Sequence, residues 1–141
     1  MSDCLFCKIA AGEIPSNKAY EDELCCAFYD IAPQALTHFL VIPKAHISSV
    51  SAVTAENSAV VAHIFEVIAK LTKELGLTSY RVVSNIGEQA GQSVFHLHFH
   101  VLSGRDMPWP PCWAQCQSVQ NPVSRHSETG FPFILVLDKK L

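Results

Sequence analysis

A chain of 141 residues holds one domain with one core, since domains commonly run to about 100 to 150 residues, so a single site is sought. Apolar residues make up 49% of it and charged residues 16%, which excludes a disordered chain and supplies a packed interior. A net charge of −3 gives no general attraction to nucleic acid or anionic lipid, so neither is expected as a partner, and a bound phosphate must be held by local donors.

The opening Met1-Ser2-Asp3-Cys4 lacks a basic region followed by a long apolar run, and no stretch reaches the roughly 18 apolar residues of a membrane span. A cytoplasmic protein is therefore expected, with its six cysteines reduced, some of them available to a metal. Asp3 is the expected N-cap of a short helix over Cys4 to Ala11, ended by Gly12 in the left-handed conformation, with Leu5, Phe6 and Ile9 as its apolar face. Lys18 to Glu21 and Leu24 to Asp30 read as the strands of a hairpin around Asp22-Glu23, in which Cys25 and Cys26 take core and surface positions. Thr37 to Pro43 contains the continuous apolar run Phe39-Leu40-Val41-Ile42, as in a central strand buried on both faces.

From Ala55 to Leu75, Val60, Val61, Ile64, Phe65, Ile68, Leu71 and Leu75 recur at helical spacing, with Gly76 just beyond. Tyr80 to Ile86 reads as a strand, Gly87 to Gly91 as a glycine-bounded turn and Val94 to Leu102 as a further strand. This order of elements predicts an α+β fold, an antiparallel sheet carrying helices on one face. Past Trp109-Pro110-Pro111 the composition turns to Pro, Ser, Gln and Asn until the apolar patch Phe131 to Leu137. Residues 1–111 are thus read as the domain and 112–141 as a C-terminal appendage.

His96-Leu97-His98-Phe99-His100-Val101-Leu102 is the most informative segment. In a strand the side chains alternate, so the three histidines share one face and Leu97, Phe99 and Val101 enter the core, whereas in a helix they would scatter. Successive imidazoles would lie about 6.6 Å apart, close enough for one phosphate to touch two of them. A neutral ring nitrogen suits attack at phosphorus, and a neighbouring imidazole can donate to an oxygen as charge develops. A bare His-x-His-x-His strand serves equally well as a metal site through His96, His98 and His100. Upstream, Gly87 to Ser93 offers glycines for close backbone approach and Gln92 and Ser93 as donors. Cys4 and Cys7, at i and i+3 of the first helix, could reach one Zn²⁺, with two further ligands still required. Cys112 and Cys116 are one set that would supply them, and two buried free thiols are the reading without metal. Phe6, Ile9, Phe28 and Ile31 read as core, Asp30 and Asn85 as turn residues, and His38, His63 and His126 as structural or exposed.

The sequence resembles the histidine triad family, specifically its Hint branch of purine nucleotide phosphoramidases. Leu5-Phe6-Cys7-Lys8-Ile9, Glu13-Ile14-Pro15, Asp30-Ile31-Ala32-Pro33-Gln34, Thr37 to Lys44, Ala90-Gly91-Gln92-Ser93, the triad, and Gly104-Arg105-Asp106-Met107 with Trp109-Pro110-Pro111 carry the resemblance, in order from about residue 3 to 111. It implies a five-stranded antiparallel sheet with two helices, continuous across a homodimer. The implied activity is hydrolysis of purine nucleoside phosphoramidates, or nucleotidyl transfer, through a nucleotidyl-histidine intermediate. By position His98 is the nucleophile and His100 contacts the phosphate, while Asn85, Gly91, Gln92 and Ser93 hold phosphate oxygens, Ser93 near the leaving group. Asp30 would bind the ribose, and Phe6, Ile9, Phe28 and Ile31 the base. Some bacterial relatives place structural zinc between such a cysteine pair and two histidines, which here are His46 and His96, and no organic cofactor is implied. Dinucleoside polyphosphate cleavage on the same fold and a nucleotide-binding regulatory module are the alternatives. Leu36, Ser84 and Ala90 depart from the family pattern, as does the long tail.

Overall fold

A computed structural model describes residues 3–109 and 111. The expected appendage, with Cys112, Cys116, His126 and the patch Phe131 to Leu137, lies outside the described residues. The elements belong to the first of two compact units, Met1–Asp106. Five antiparallel strands, β1 (Lys18–Glu21), β2 (Cys25–Tyr29), β3 (Thr37–Pro43), β4 (Tyr80–Val83) and β5 (Phe99–Ser103), form one sheet in the order β1-β2-β3-β5-β4. Helix α1 (Leu5–Ala10) precedes the sheet in the chain and α2 (Ser58–Glu74) joins β3 to β4. No helix among the described residues is long and apolar enough to cross a membrane.

The strand β3 occupies the bounds predicted from its apolar run, and β2 pairs with it from Cys25 opposite Pro43 to Tyr29 opposite Phe39. On one face Cys25, Ala27, Phe39, Val41 and Val101 pack with Ile64, Val67, Ile68 and Leu71 of α2. On the other, Cys26, Phe28, Leu40 and Ile42 pack with Phe6 and Ile9 of α1. Helices thus cover both faces rather than the one expected, because β2 and β3 carry apolar side chains at nearly every position. Cys26 is accordingly buried, not a surface residue. A six-residue helix is not stable alone, so α1 persists through Phe6 and Ile9, each worth about 1.5–3 kcal/mol when buried.

Several predicted boundaries move: β2 is Cys25–Tyr29 rather than Leu24 to Asp30, α2 starts at Ser58 rather than Ala55, β4 ends at Val83 rather than Ile86, and two further shifts bear on the site. Cys4, not Asp3, is the N-cap of α1, and it makes no side-chain cap bond; the Asp3 carboxylate instead pairs with Lys8. Gly12 does take a left-handed φ of 78° just past the helix. The strand expected from Val94 begins only at Phe99, because the ladders with β3 and β4 reach no further than Val41 opposite Phe99 and Val83 opposite His100. The segment from Val94 to His98 therefore runs past the end of the sheet, braced where the Leu97 N–H donates to the Ile47 carbonyl.

At the β1–β2 turn the Asp22 carboxylate accepts from Leu24 N, Cys25 N and the Tyr20 hydroxyl, and meets the His63 ring of α2 at 2.6 Å. Burial alone would raise the Asp22 carboxyl, but these four partners together hold it well below the usual carboxylate range. His63, read from sequence as structural or exposed, is a strut between turn and helix.

Candidate active site

Although the triad straddles the start of β5, its alternation survives. Leu97, Phe99 and Val101 enter the core beneath α2, while the Phe6 ring on the α1 side meets His96 and His98 edge-on at centroid distances of 6.0 and 5.2 Å. The rings of His98 and His100 stand 5.1 Å apart.

Hydrogen bonds fix which nitrogen of each ring carries a proton. A carbonyl can only accept, so His98, whose Nδ1 lies 2.6 Å from the His96 carbonyl, donates from Nδ1 and keeps a lone pair on Nε2. In the same way His96 donates from Nε2 to the Pro43 carbonyl at 2.8 Å and keeps its lone pair on Nδ1. The Gln34 N–H donates to His38 Nδ1 at 3.1 Å, which places the His38 proton on Nε2. That group in turn donates to His100 Nδ1 at 2.8 Å, so His100 presents an N–H at Nε2. Burial, reinforced by the His98 and His38 rings and opposed by Asp30, pushes His100 down to about 4 and keeps it neutral near pH 7. Burial also lowers His38, against the pull of Asp30. The pair is therefore a neutral relay ending in a donor, beside a ring ending in a lone pair.

His38 belongs to this site, beyond its expected structural role. Its signal was parity: His38 shares a strand face with Leu40 and Ile42, and a polar group inside a doubly covered strand requires a partner.

The loop ahead of the triad turns on Gly87 and Gly91, with φ of 84° and 89°, around the 3-10 turn Glu88–Ala90. Its backbone closes on itself: Gly91 N donates to Glu88 O and Gln92 N to Gly87 O. The Gln92 side chain, 3% exposed, is likewise taken up by backbone groups. Ser93, the next residue, is exposed and offers its N–H and hydroxyl. The Asn85 amide reaches toward the Gly91 carbonyl at 3.5 Å, and the Ser84 hydroxyl donates to the His98 carbonyl at 2.9 Å.

On the α1 side of the sheet Phe6, Ile9 and Phe28 are buried together, with Phe6 edge-on to Phe28 at 5.6 Å. Ile31 is no core residue, contrary to the reading from composition: it is fully exposed, on a turn where Asp30 Oδ1 accepts from Ala32 N. Asp30 Oδ2 lies 3.6 Å from His38 Nε2.

Beside the triad, one ligand atom each from Cys4, Cys7, His46 and His96 lie within 4.8 Å of one another. The Cys4–His96, Cys7–His96 and Cys7–His46 S···N separations are 3.5, 3.5 and 3.3 Å. Tetrahedral Zn²⁺ with Zn–S near 2.3 Å and Zn–N near 2.05 Å sets such edges at about 3.6 Å, so the donor set fits zinc. Pro43 supplies the outer carbonyl that turns the His96 lone pair toward the thiols. Among the described residues no cluster gathers all three triad rings, since His96 falls with the cysteines and His100 with Asp30 and His38. The reading of the triad as one metal site therefore finds no support.

Residues 3–109 match the family described as "Scavenger mRNA decapping enzyme C-term binding". An uncharacterized HIT-like protein of Synechococcus elongatus is 47% identical over 110 residues, 77% of this chain and 96% of that protein. Among solved structures, a HIT family hydrolase from Legionella pneumophila superposes with TM-score 0.76 at 47% identity, covering 78% of this chain and all of the other. A histidine triad nucleotide-binding protein from Candida albicans gives 0.68 at 38% identity, over 74% and 77% of the two chains.

Proposed function

Because the chain belongs to the histidine triad family, we propose that it is a hydrolase or nucleotidyl transferase that cleaves purine nucleoside phosphoramidates at the α-phosphate through His98. The observation that carries this reading is the 2.6 Å bond from His98 Nδ1 to the His96 carbonyl, which in the neutral ring places the lone pair on Nε2 as the nucleophile. His98 Nε2 attacks phosphorus, the P–N bond breaks, and the amine leaves with a proton drawn from solvent water and relayed by the Ser93 hydroxyl. The ring becomes cationic in the nucleotidyl-histidine, and the His96 carbonyl stabilises it through the retained Nδ1–H. His100 donates from Nε2 to a phosphoryl oxygen as charge develops. Water then cleaves the N–P bond, releasing the nucleoside monophosphate and restoring His98.

In this reading Ser93 and Asn85 meet phosphate oxygens, Gly91 permits their close approach, Asp30 binds the ribose, and Phe6, Ile9, Phe28 and Ile31 flank the base. Gly104 to Pro111 favours phosphoramidates over dinucleoside polyphosphates, by its resemblance to the Hint branch. A Zn²⁺ on Cys4, Cys7, His46 and His96 would fill all four positions and contribute rigidity, not chemistry. The test is His98→Ala: turnover of an adenosine phosphoramidate falls by more than about a thousandfold while AMP binding persists. Turnover within threefold of the parent overturns the assignment.

A further inference from the structure

We propose that Gln92 is a positioning residue that sets the phosphate loop against the triad through its side chain, without touching substrate. The inference rests on the phosphate-site reading above and adds to it the part that holds the site in register. The Gly87 N–H donates to Gln92 Oε1 at 2.9 Å, while Gln92 Nε2 donates to the carbonyls of Ser48 at 2.8 Å and Val94 at 3.2 Å. One buried amide thus binds the start of the loop, the chain just past its end, and a segment 44 residues away.

That distant segment is not arbitrary. Ile47, beside Ser48, accepts the Leu97 N–H, so the same stretch braces the triad between His96 and His98. Ser93 hangs from Gln92 on one side of this strut and His98 from Leu97 on the other. The spacing between the phosphate donors and the nucleophile is therefore set where both anchors meet, at residues 47 and 48. Since Gly87 and Gly91 both carry positive φ, the loop has no side-chain stiffness of its own at its two corners. Gln92 supplies it, and its required donor and acceptor pattern admits an amide but not a carboxylate, which cannot donate to two carbonyls.

The experiment uses the full chain and the variants Gln92→Glu and Gln92→Met, with calorimetric binding of AMP and of adenosine alongside turnover of an adenosine phosphoramidate. The expected result is AMP affinity and kcat each reduced about tenfold or more, with adenosine affinity within about twofold of the parent, because buried carbonyls left without donors shift the loop and not the base pocket. Hydrogen exchange on the unaltered protein supplies a reading that needs no variant: the Gly87 amide, although in a turn, is protected. A melting temperature that drops while AMP affinity and kcat stay within twofold makes Gln92 merely structural and overturns the inference, as does a freely exchanging Gly87 amide. Parent protein that binds AMP no better than adenosine overturns the phosphate-site reading itself.

Discussion

A single proton position distinguishes the two central histidines. His98 and His100 are neighbours of the same type, yet a carbonyl at one Nδ1 and an imidazole N–H at the other give them opposite outer faces, one a lone pair and one a donor. His38 sets the second of these. Replacing it as His38→Phe removes the donor to His100 Nδ1, so the His100 proton is free to sit on either nitrogen. We expect kcat to fall about tenfold or more, equivalent to roughly 1.4 kcal/mol in the barrier, with AMP affinity changed much less. An unchanged kcat in a folded variant refutes the relay. The triad's shared face was legible in the sequence because its period of two needs only alternation. His38 was legible only in part, because its parity in the strand shows that it needs a partner but not which one, and that partner lies 62 residues away.

The short helix α1 joins two sites. Cys4 and Cys7 bracket Phe6, whose ring packs on both His96 and His98, so the proposed metal ligands and a wall of the proposed nucleophile's pocket share one turn. If zinc binds as proposed, protein purified without chelator carries one ion per chain. In Cys4→Ser it is lost and the melting temperature falls by about 5 °C or more, since binding to the folded state alone stabilises it. Metal-free parent protein with the same melting temperature as the variant contradicts the assignment. The pair Cys4-x-x-Cys7 was visible at once, whereas its completion by His46 and His96 came only from resemblance, since no local rule joins them to ligands 39 and 89 residues beyond Cys7. Element boundaries divide likewise. β3 was legible to the residue because its own apolar run and Pro43 define it, but β5 starts where its neighbours stop, which its own residues do not encode.

At the scale of the molecule, the sheet order leaves β1 and β4 as the outer strands among the described residues. The β1 edge is protected by a register irregularity between Lys18 and Tyr20 and by the charges of Lys18 and Glu21. β4, reading Tyr80-Arg81-Val82-Val83, pairs with β5 in unbroken register and is the edge suited to continue into a second copy. We therefore propose the homodimer through β4, with light scattering at micromolar concentration expected to give twice the 15.5 kDa of one chain. The mass of a single chain contradicts it. Fold class was legible because the α2 stripe and the β3 run are long; which face each helix covers was not, since that depends on how β2 and β3 stack. All of these parts converge on His98 Nε2, and the most direct measurement is there: the protein mixed with an adenosine phosphoramidate, quenched in alkali, digested and analysed by mass spectrometry. The account predicts a nucleotidyl group on the peptide containing His98, absent from His98→Ala. Turnover by the parent protein with no such adduct at any quench time, or an adduct carried by another residue, contradicts it.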